Sequence, residues 1–242
     1  MLRGPRPEGL GNLSARYESG PKGTSAIGYD EGGGASYGKY QLAYLVGGLK
    51  AFLSWLAVPY PNLYNALMPL YSSAGNHPRR NPGPFLAKWL ELAKGKELPA
   101  AEHEYIVMRY YDVPYSGMGE GPRTMVDNCR ALQDVLLSTG VQHGPGKPGS
   151  SRGAIGIFNG CYHEGISPAD YIDAIYSKRG TYLSKLKQST RAAVLNRYAD
   201  ERKRAKAMLS IPVSKPTEAE AKVGAGPLDK VRGDIQNGGS KP

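Results

Sequence analysis

Between Met125 and Thr139 the apolar side chains recur at the spacing of an α-helix. Val126, Cys129, Leu132, Gln133 and Leu136 share one face, and Val135 and Leu137 broaden it. A stripe that wide belongs to a helix inside a core. The chain is therefore expected to be mainly α and built round this segment. Further helices are expected over residues 10–19, 42–58, 62–68, 85–93 and 100–111. Ser167, Pro168 and Asp170 supply an N-cap, a proline at N1 and an acid at N3, a strong helix start. Ser189 can cap a last helix reaching about residue 209. Residues 20–38 hold seven glycines and must be turn-rich. The run GASYGKYQL just beyond alternates enough for a short strand or hairpin. Residues 72–84, 112–122 and 141–153 read as loops, rich in Gly, Pro and Asn.

At 242 residues with 40% hydrophobic content, the chain can bury one full core. Residues 1–9 read as an N-terminal arm and 10–209 as one domain. The tail from 210 to 242 lacks aromatics and is rich in Pro, Gly and charge. It is expected to be extended or disordered unless a partner orders it, which makes it a docking segment. The most apolar stretch, 42–58, carries Lys50 and is short for a membrane span, so it reads as a buried helix. The opening MLRGPRPEGL has charge but no apolar core of a signal peptide.

The formal net charge is +10 and the pI about 9.5. Such a surface seeks polyanions: nucleic acid, anionic lipid or an anionic wall polymer. The positive charge concentrates from Lys178 to Lys206, which reads as a solvated helix face or as a contact for DNA, wall polymer or an acidic partner. Cys129 and Cys161 make no disulfide framework; both read as small buried residues, with a bridge between them left open. His77, His103, His143 and His163 lack zinc-ligand spacing, so no metal or cofactor is expected. Cys161 with His163 has no orienting motif for nucleophilic catalysis. The triple glycine 32–34 lacks the ending of a phosphate loop.

The stretch ARYESGPKGTSAIGYDEGGGASYGKYQL, residues 15–42, carries the chemistry. Cleaving a glycosidic bond needs a proton donor whose pKa a partly apolar pocket has raised. Glu18, beside Tyr17 at the end of a predicted helix, suits that role. A second carboxylate activates water or attacks the sugar, and Asp30 and Glu31 on the glycine-rich turn are candidates. Tyr37, Tyr40 and Gln41 suit sugar binding by ring stacking and amide hydrogen bonds.

These residues resemble the active-site segment of the lysozyme-like superfamily. The nearest likeness is to phage and type VI secretion muramidase domains, themselves related to chitosanases, with a pattern similar to Y-E-S-G-G…G-D-P-G-G-x-S-Y-G-x-Y-Q. LQDVLLSTGVQHG resembles a later segment built around S-T-x-x-Q-x-G. DYIDAIYSKRGTYL resembles the C-terminal helix, with Tyr176 and Arg179 in an I-Y-x-x-R pattern. The resemblance covers about residues 10–190. It implies an α+β lysozyme-like fold, a helical bundle with a small β element beside an active-site cleft. It implies Glu18 as general acid. Glu31 falls where the family pattern has Asp, five residues before Ser36, with Asp30 as the alternative. Pro21 stands where the pattern has the second glycine of its pair. Ser36, Tyr37, Tyr40 and Gln41 match cleft-lining positions, and Thr139, Gln142 and His143 match the later motif. The implied function is a muramidase acting on the glycan strands of peptidoglycan. Phage origin, a place in the virion or tail, the host cytoplasm before release, and action in the bacterial periplasm complete the expectation. The alternatives are a lytic transglycosylase using Glu18 alone, a chitosanase, and a virion protein that keeps the fold without catalysis.

Overall fold

The computed structural model describes residues 2–13, 20–184 and 186–210. The predicted helix over 10–19 lies mostly outside these residues, as do Glu18 and the tail beyond Ser210. The chain divides into two units, one holding described residues 20–105 and the other 2–13 with those from 106 onward.

The first unit opens with a 3₁₀ segment, Gly20–Ser25, and a three-stranded antiparallel sheet: β1 Ile27–Asp30, β2 Gly34–Tyr37 and β3 Leu42–Ala43, in that order. Ile27 pairs with Tyr37 and Asp30 with Gly34, leaving Glu31, Gly32 and Gly33 as the turn. Gly34 has φ +70°, a left-handed conformation that a three-residue hairpin loop demands. Helices α1 Gly48–Leu56, α2 Pro61–Leu67, α3 Pro84–Leu92 and α4 Glu97–Val107 follow. The apolar run 42–58 thus makes a strand and then a shorter helix. Gly47, in the left-handed region, forces the break ahead of α1. Leu49, Phe52, Leu53 and Leu56 of α1 are fully buried, at about 1.5–3 kcal/mol each. Phe52 meets Tyr105 of α4 at 5.2 Å between ring centroids. No helix among the described residues is long and apolar enough to cross a membrane.

The second unit is helical. A π-turn, Met108–Asp112, leads into α5 Val113–Gly117 and α6 Glu120–Asp127, so the predicted loop over 112–122 is largely helix. The predicted helix 125–139 is two: α6 ends at Asp127, and α7 runs Arg130–His143. Cys129 between them has extended backbone. The shared face survives the break, since Val126, Cys129, Leu132, Gln133 and Leu136 are all buried. From Arg130 to Gly140 every residue of α7 is buried, so this is the central helix the apolar pattern implied. Gly140 is required by packing, because a Cβ there would lie 2.0 Å from the carbonyl oxygen of Tyr110.

Helices α8 Gly153–Cys161, α9 Pro168–Thr181 and α10 Gln188–Ala207 complete this unit. Ser167 caps α9 as its sequence implied: its hydroxyl accepts the Asp170 N–H at 3.1 Å and donates to the Asp170 carboxylate at 2.6 Å. Ser189 lies inside α10, whose N-cap is Lys187. Residues 2–7 form no regular element but are pinned to this unit. Arg6 pairs with buried Asp112, and Pro5 accepts the Tyr111 hydroxyl at 2.7 Å. Cys129 and Cys161 are free thiols, the first buried and the second half-buried.

Candidate active site

The β1–β2 turn holds the two candidate second carboxylates differently, although both are exposed. Asp30 Oδ1 accepts the N–H groups of Gly32 at 2.9 Å and Gly33 at 2.6 Å. That oxygen builds the turn, as short acidic side chains commonly do. Glu31 stands exposed at the tip. Beside it, Leu45 donates its N–H to Gly33 O at 3.0 Å, and the side chains of Leu45 and Val46 are 63% and 73% exposed.

The β2–β3 turn carries the other predicted sugar-binding residues of this unit. Ser36 donates its hydroxyl to Gln41 Oε1 at 2.8 Å, and Gln41 Nε2 donates to Gly38 O at 2.9 Å. Gln41 has φ +49°, a conformation non-glycine residues seldom adopt, and these two bonds hold it there. Gly28 on the facing strand leaves room for the pair, since a Cβ would sit 2.2 Å from Gln41 Oε1. Gln41 and Tyr40 are half-buried, and the Tyr40 hydroxyl bonds His103 Nδ1 at 3.1 Å. Ser36 is buried and serves Gln41.

Tyr37 requires a correction. It is 1% exposed, donates its hydroxyl to Ala74 O at 2.9 Å, and packs edge-on against Phe85 at 4.9 Å. It is a core residue of its unit, not a sugar platform, because β2 is buried on both faces.

A residue the sequence reading missed anchors this turn. Glu102 of α4 is 1% exposed, and its Oε1 accepts the Tyr40 N–H at 3.0 Å. The Thr24 side chain and the Lys39 N–H lie close enough to favour the charged carboxylate, while Oε2 is buried with no hydrogen-bond partner among the described residues. Gly38, at φ +82°, lies so close that a Cβ would be 2.2 Å from Glu102 Oε1. Burial pushes the Glu102 carboxyl up to about 7 from the ordinary 4.5; the hydrogen bonds and the Lys39 charge pull the other way and lose. A folded-state value above the unfolded one means the fold takes up a proton. Glu102 therefore contributes most to stability below pH 4.5, and the contribution is lost as pH rises to about 7. In Glu102→Gln that part of the pH dependence should vanish in urea denaturation measured across pH 4–8. An unchanged slope would contradict the assignment. His143 tilts the other way, its stability contribution falling as pH drops below 6.5, so the comparison with the variant isolates Glu102.

In the second unit, Thr139 requires the second correction. It is wholly buried on α7, where no ligand can reach it. Gln142 is half-buried, and its Oε1 accepts from Arg179 at 2.7 Å. His143 Nε2 bonds the Tyr198 hydroxyl at 2.9 Å. Burial, then the Arg179 charge, lower its pKa to about 4, so the ring is neutral at physiological pH.

Arg179 is the hub of this region. Its guanidinium lies 4.6 Å from the Tyr176 ring centroid and 4.4 Å from that of Tyr198. It pairs with Glu201 at 3.2 Å, and both side chains are fully buried. Ser138 donates to Glu201 at 3.1 Å, and Arg197 pairs with it at 3.4 Å. The run from Lys178 to Lys206, read as a solvated basic face, thus presents a buried stripe of Tyr198, Glu201 and Ala205. Its cations are partly neutralised: Lys206 and Arg202 meet Asp173, and Arg204 meets Asp200.

A small antiparallel sheet ahead of a set of helices is an arrangement shared with solved chitosanases. The structure resembles the GH46 chitosanase of Gynuella sunshinyii solved with chitotetraose: TM-score 0.57, 12% identity, 84% of this chain and 90% of that one. It also resembles the native chitosanase of Bacillus subtilis MY002: TM-score 0.55, 18% identity, 87% of this chain and 92% of that one. At these identities the likeness is one of fold. Residues 10–203 match the family described as type VI secretion system spike protein VgrG3-like, C-terminal, and the chain belongs to that family. A relative, the type VI secretion system spike protein VgrG3 of Vibrio cholerae serotype O1 (strain ATCC 39315 / El Tor Inaba N16961), is 25% identical over 167 residues. Those residues are 67% of this chain, which spans 15% of the length of that relative.

Proposed function

We propose that this chain is a glycoside hydrolase that cleaves the glycan strands of peptidoglycan, with Glu18 as general acid and Glu31 as second carboxylate. The observation that carries the reading is the hairpin turn. On a fold shared with enzymes of polysaccharides, it presents both acids to solvent, with Glu31 at the tip and Asp30 Oδ1 taken up by two backbone N–H groups. Glu18 lies within the family match, ahead of the turn in sequence. In the mechanism, Glu18 protonates the oxygen between N-acetylmuramic acid and N-acetylglucosamine. Glu31 orients water or stabilises the cationic sugar. Tyr40 and Gln41 hold the sugar, with Ser36 and Glu102 fixing their turn.

The kinship with a secretion spike supports delivery by an injection machine, either a type VI spike or a phage tail, into the bacterial periplasm. Residues 210–242 are the proposed segment for docking to spike, tail or other virion proteins. Nucleic acid is a weaker partner for the stretch from Lys178 to Lys206, whose ion pairs leave less free charge than the sequence suggests.

Chitosan hydrolysis is a second reading, favoured by the structural neighbours. Charge argues against it: a polymer of glucosamine is cationic, and this chain carries +10. Incubation of the purified chain with sacculi and with chitosan decides between them. Release of soluble fragments from sacculi alone supports the wall reading, and activity on chitosan alone would overturn it. The two acids also separate. Glu31→Gln should cut sacculus solubilisation by about 10²-fold or more with unfolding unchanged. Asp30→Asn should lower stability by about 1 kcal/mol and reduce activity less. The reverse ranking would give Asp30 the catalytic role.

A further inference from the structure

In the second unit a pocket of about 350 Å³ is lined by His143, Arg152, Gly153, Thr181, Tyr182 and Ser184. Three segments build it: the end of α7, the loop leading into α8, and the end of α9. The walls are tied together. Ala154 donates its N–H to Gly144 O at 2.9 Å, and Ile155 donates to Pro145 O at 3.0 Å. Gly153, at φ +71°, packs against Gly146 so closely that a Cβ would lie 2.4 Å from its backbone. Tyr182 is held by its hydroxyl, which donates to Ser151 O at 2.8 Å.

The chemistry of the lining is specific. Tyr182 offers a ring face beside the His143 ring, 5.6 Å between centroids. Thr181 and Ser184 add hydroxyls. Arg152 is exposed and takes part in no ion pair found among the described residues. Lys178 Nζ lies 6.0 Å from the Tyr182 ring centroid. Among the described residues no carboxylate lines the pocket, and His143 is neutral. An aromatic face with hydroxyls suits a sugar ring, and an unpaired guanidinium suits a carboxylate.

We propose that this pocket binds a carboxylate-bearing unit of the wall glycan, with Arg152 pairing the carboxylate and Tyr182 stacking on the sugar. The proposal rests on the wall-glycan reading above and names the feature that reading recognises. A glucosamine unit, by contrast, would bring an ammonium group to a positive pocket.

The test titrates N-acetylmuramic acid, muramyl dipeptide and N-acetylglucosamine into the full chain, following the His143 ring signals by NMR. At least one of the two carboxylate-bearing probes should bind about tenfold or more tighter than N-acetylglucosamine, the scale of one charge-assisted hydrogen bond. The tighter of the two tells whether the carboxylate sits on the sugar's lactyl group or on the peptide. Arg152→Ala should abolish that preference and Arg152→Lys should restore part of it; a thermal melt confirms that both variants fold. Equal affinity for all three probes, or an unchanged preference in Arg152→Ala, would overturn the proposal. Glu18→Gln separates this proposal from the catalytic one: it should keep probe binding whatever becomes of hydrolysis.

Discussion

Replacing Glu18 with glutamine is expected to slow the solubilisation of sacculi by about 10²–10⁴-fold, the range a general acid contributes. Glutamine keeps the shape of the side chain and removes its transferable proton. Protonation of the leaving oxygen is a step assigned to no described residue of the hairpin. Glu31 is assigned to the water or the cationic sugar, and Asp30 is held by the turn. Thermal unfolding of the variant should match the parent, so the loss can be read as chemistry. A variant that clears sacculi as fast as the parent would remove Glu18 from the mechanism.

The second large effect is on stability. Glu201→Ala should cost about 3–5 kcal/mol, because it leaves the Arg179 guanidinium buried without its counter-charge. Arg179 is fully buried, with the Tyr176 and Tyr198 rings packed against its guanidinium, and Ser138 and Gln142 supply only neutral acceptors. Arg179→Ala should cost less than Glu201→Ala, since Arg197 remains at 3.4 Å to pair with Glu201. Replacing both by apolar residues of similar volume should recover much of the loss. Urea denaturation measures all three. A loss under 1 kcal/mol for Glu201→Ala would mean that the pair is solvated in solution.

Much of the fold was legible because helical periodicity survives local breaks. The stripe from Val126 to Leu136 reads correctly as a buried face although the chain changes helix at Cys129. The mainly α class with a small sheet follows from such stripes and from the glycine run. What failed was boundaries that depend on single backbone conformations. Leu42 and Ala43 join a strand because Gly47 turns left-handed before α1, and hydropathy alone does not report that. Helix α8 lies in a stretch whose glycines conceal its apolar face of Ala154, Ile155, Ile157 and Phe158.

The site was legible by residue type and less so by role. Tyr37 and Thr139 carry groups that suit a sugar, but both side chains point into cores. Glu102 sits in AEHEYIV among other acids, with nothing local to mark it; its role arises from Gly38 and Tyr40, more than sixty residues earlier. Glu201 had a readable signal. Tyr198, Glu201 and Ala205 follow the i, i+3, i+7 spacing of a buried stripe, hidden by the arginines and lysines around it.

Mass spectrometry of sacculi digested by the purified chain tests the central proposal most directly. The account predicts soluble muropeptides whose newly formed reducing ends are hydrated. Anhydromuramic ends would assign a transglycosylase using Glu18 alone, and intact sacculi would leave the fold without the proposed chemistry; either result would contradict the account.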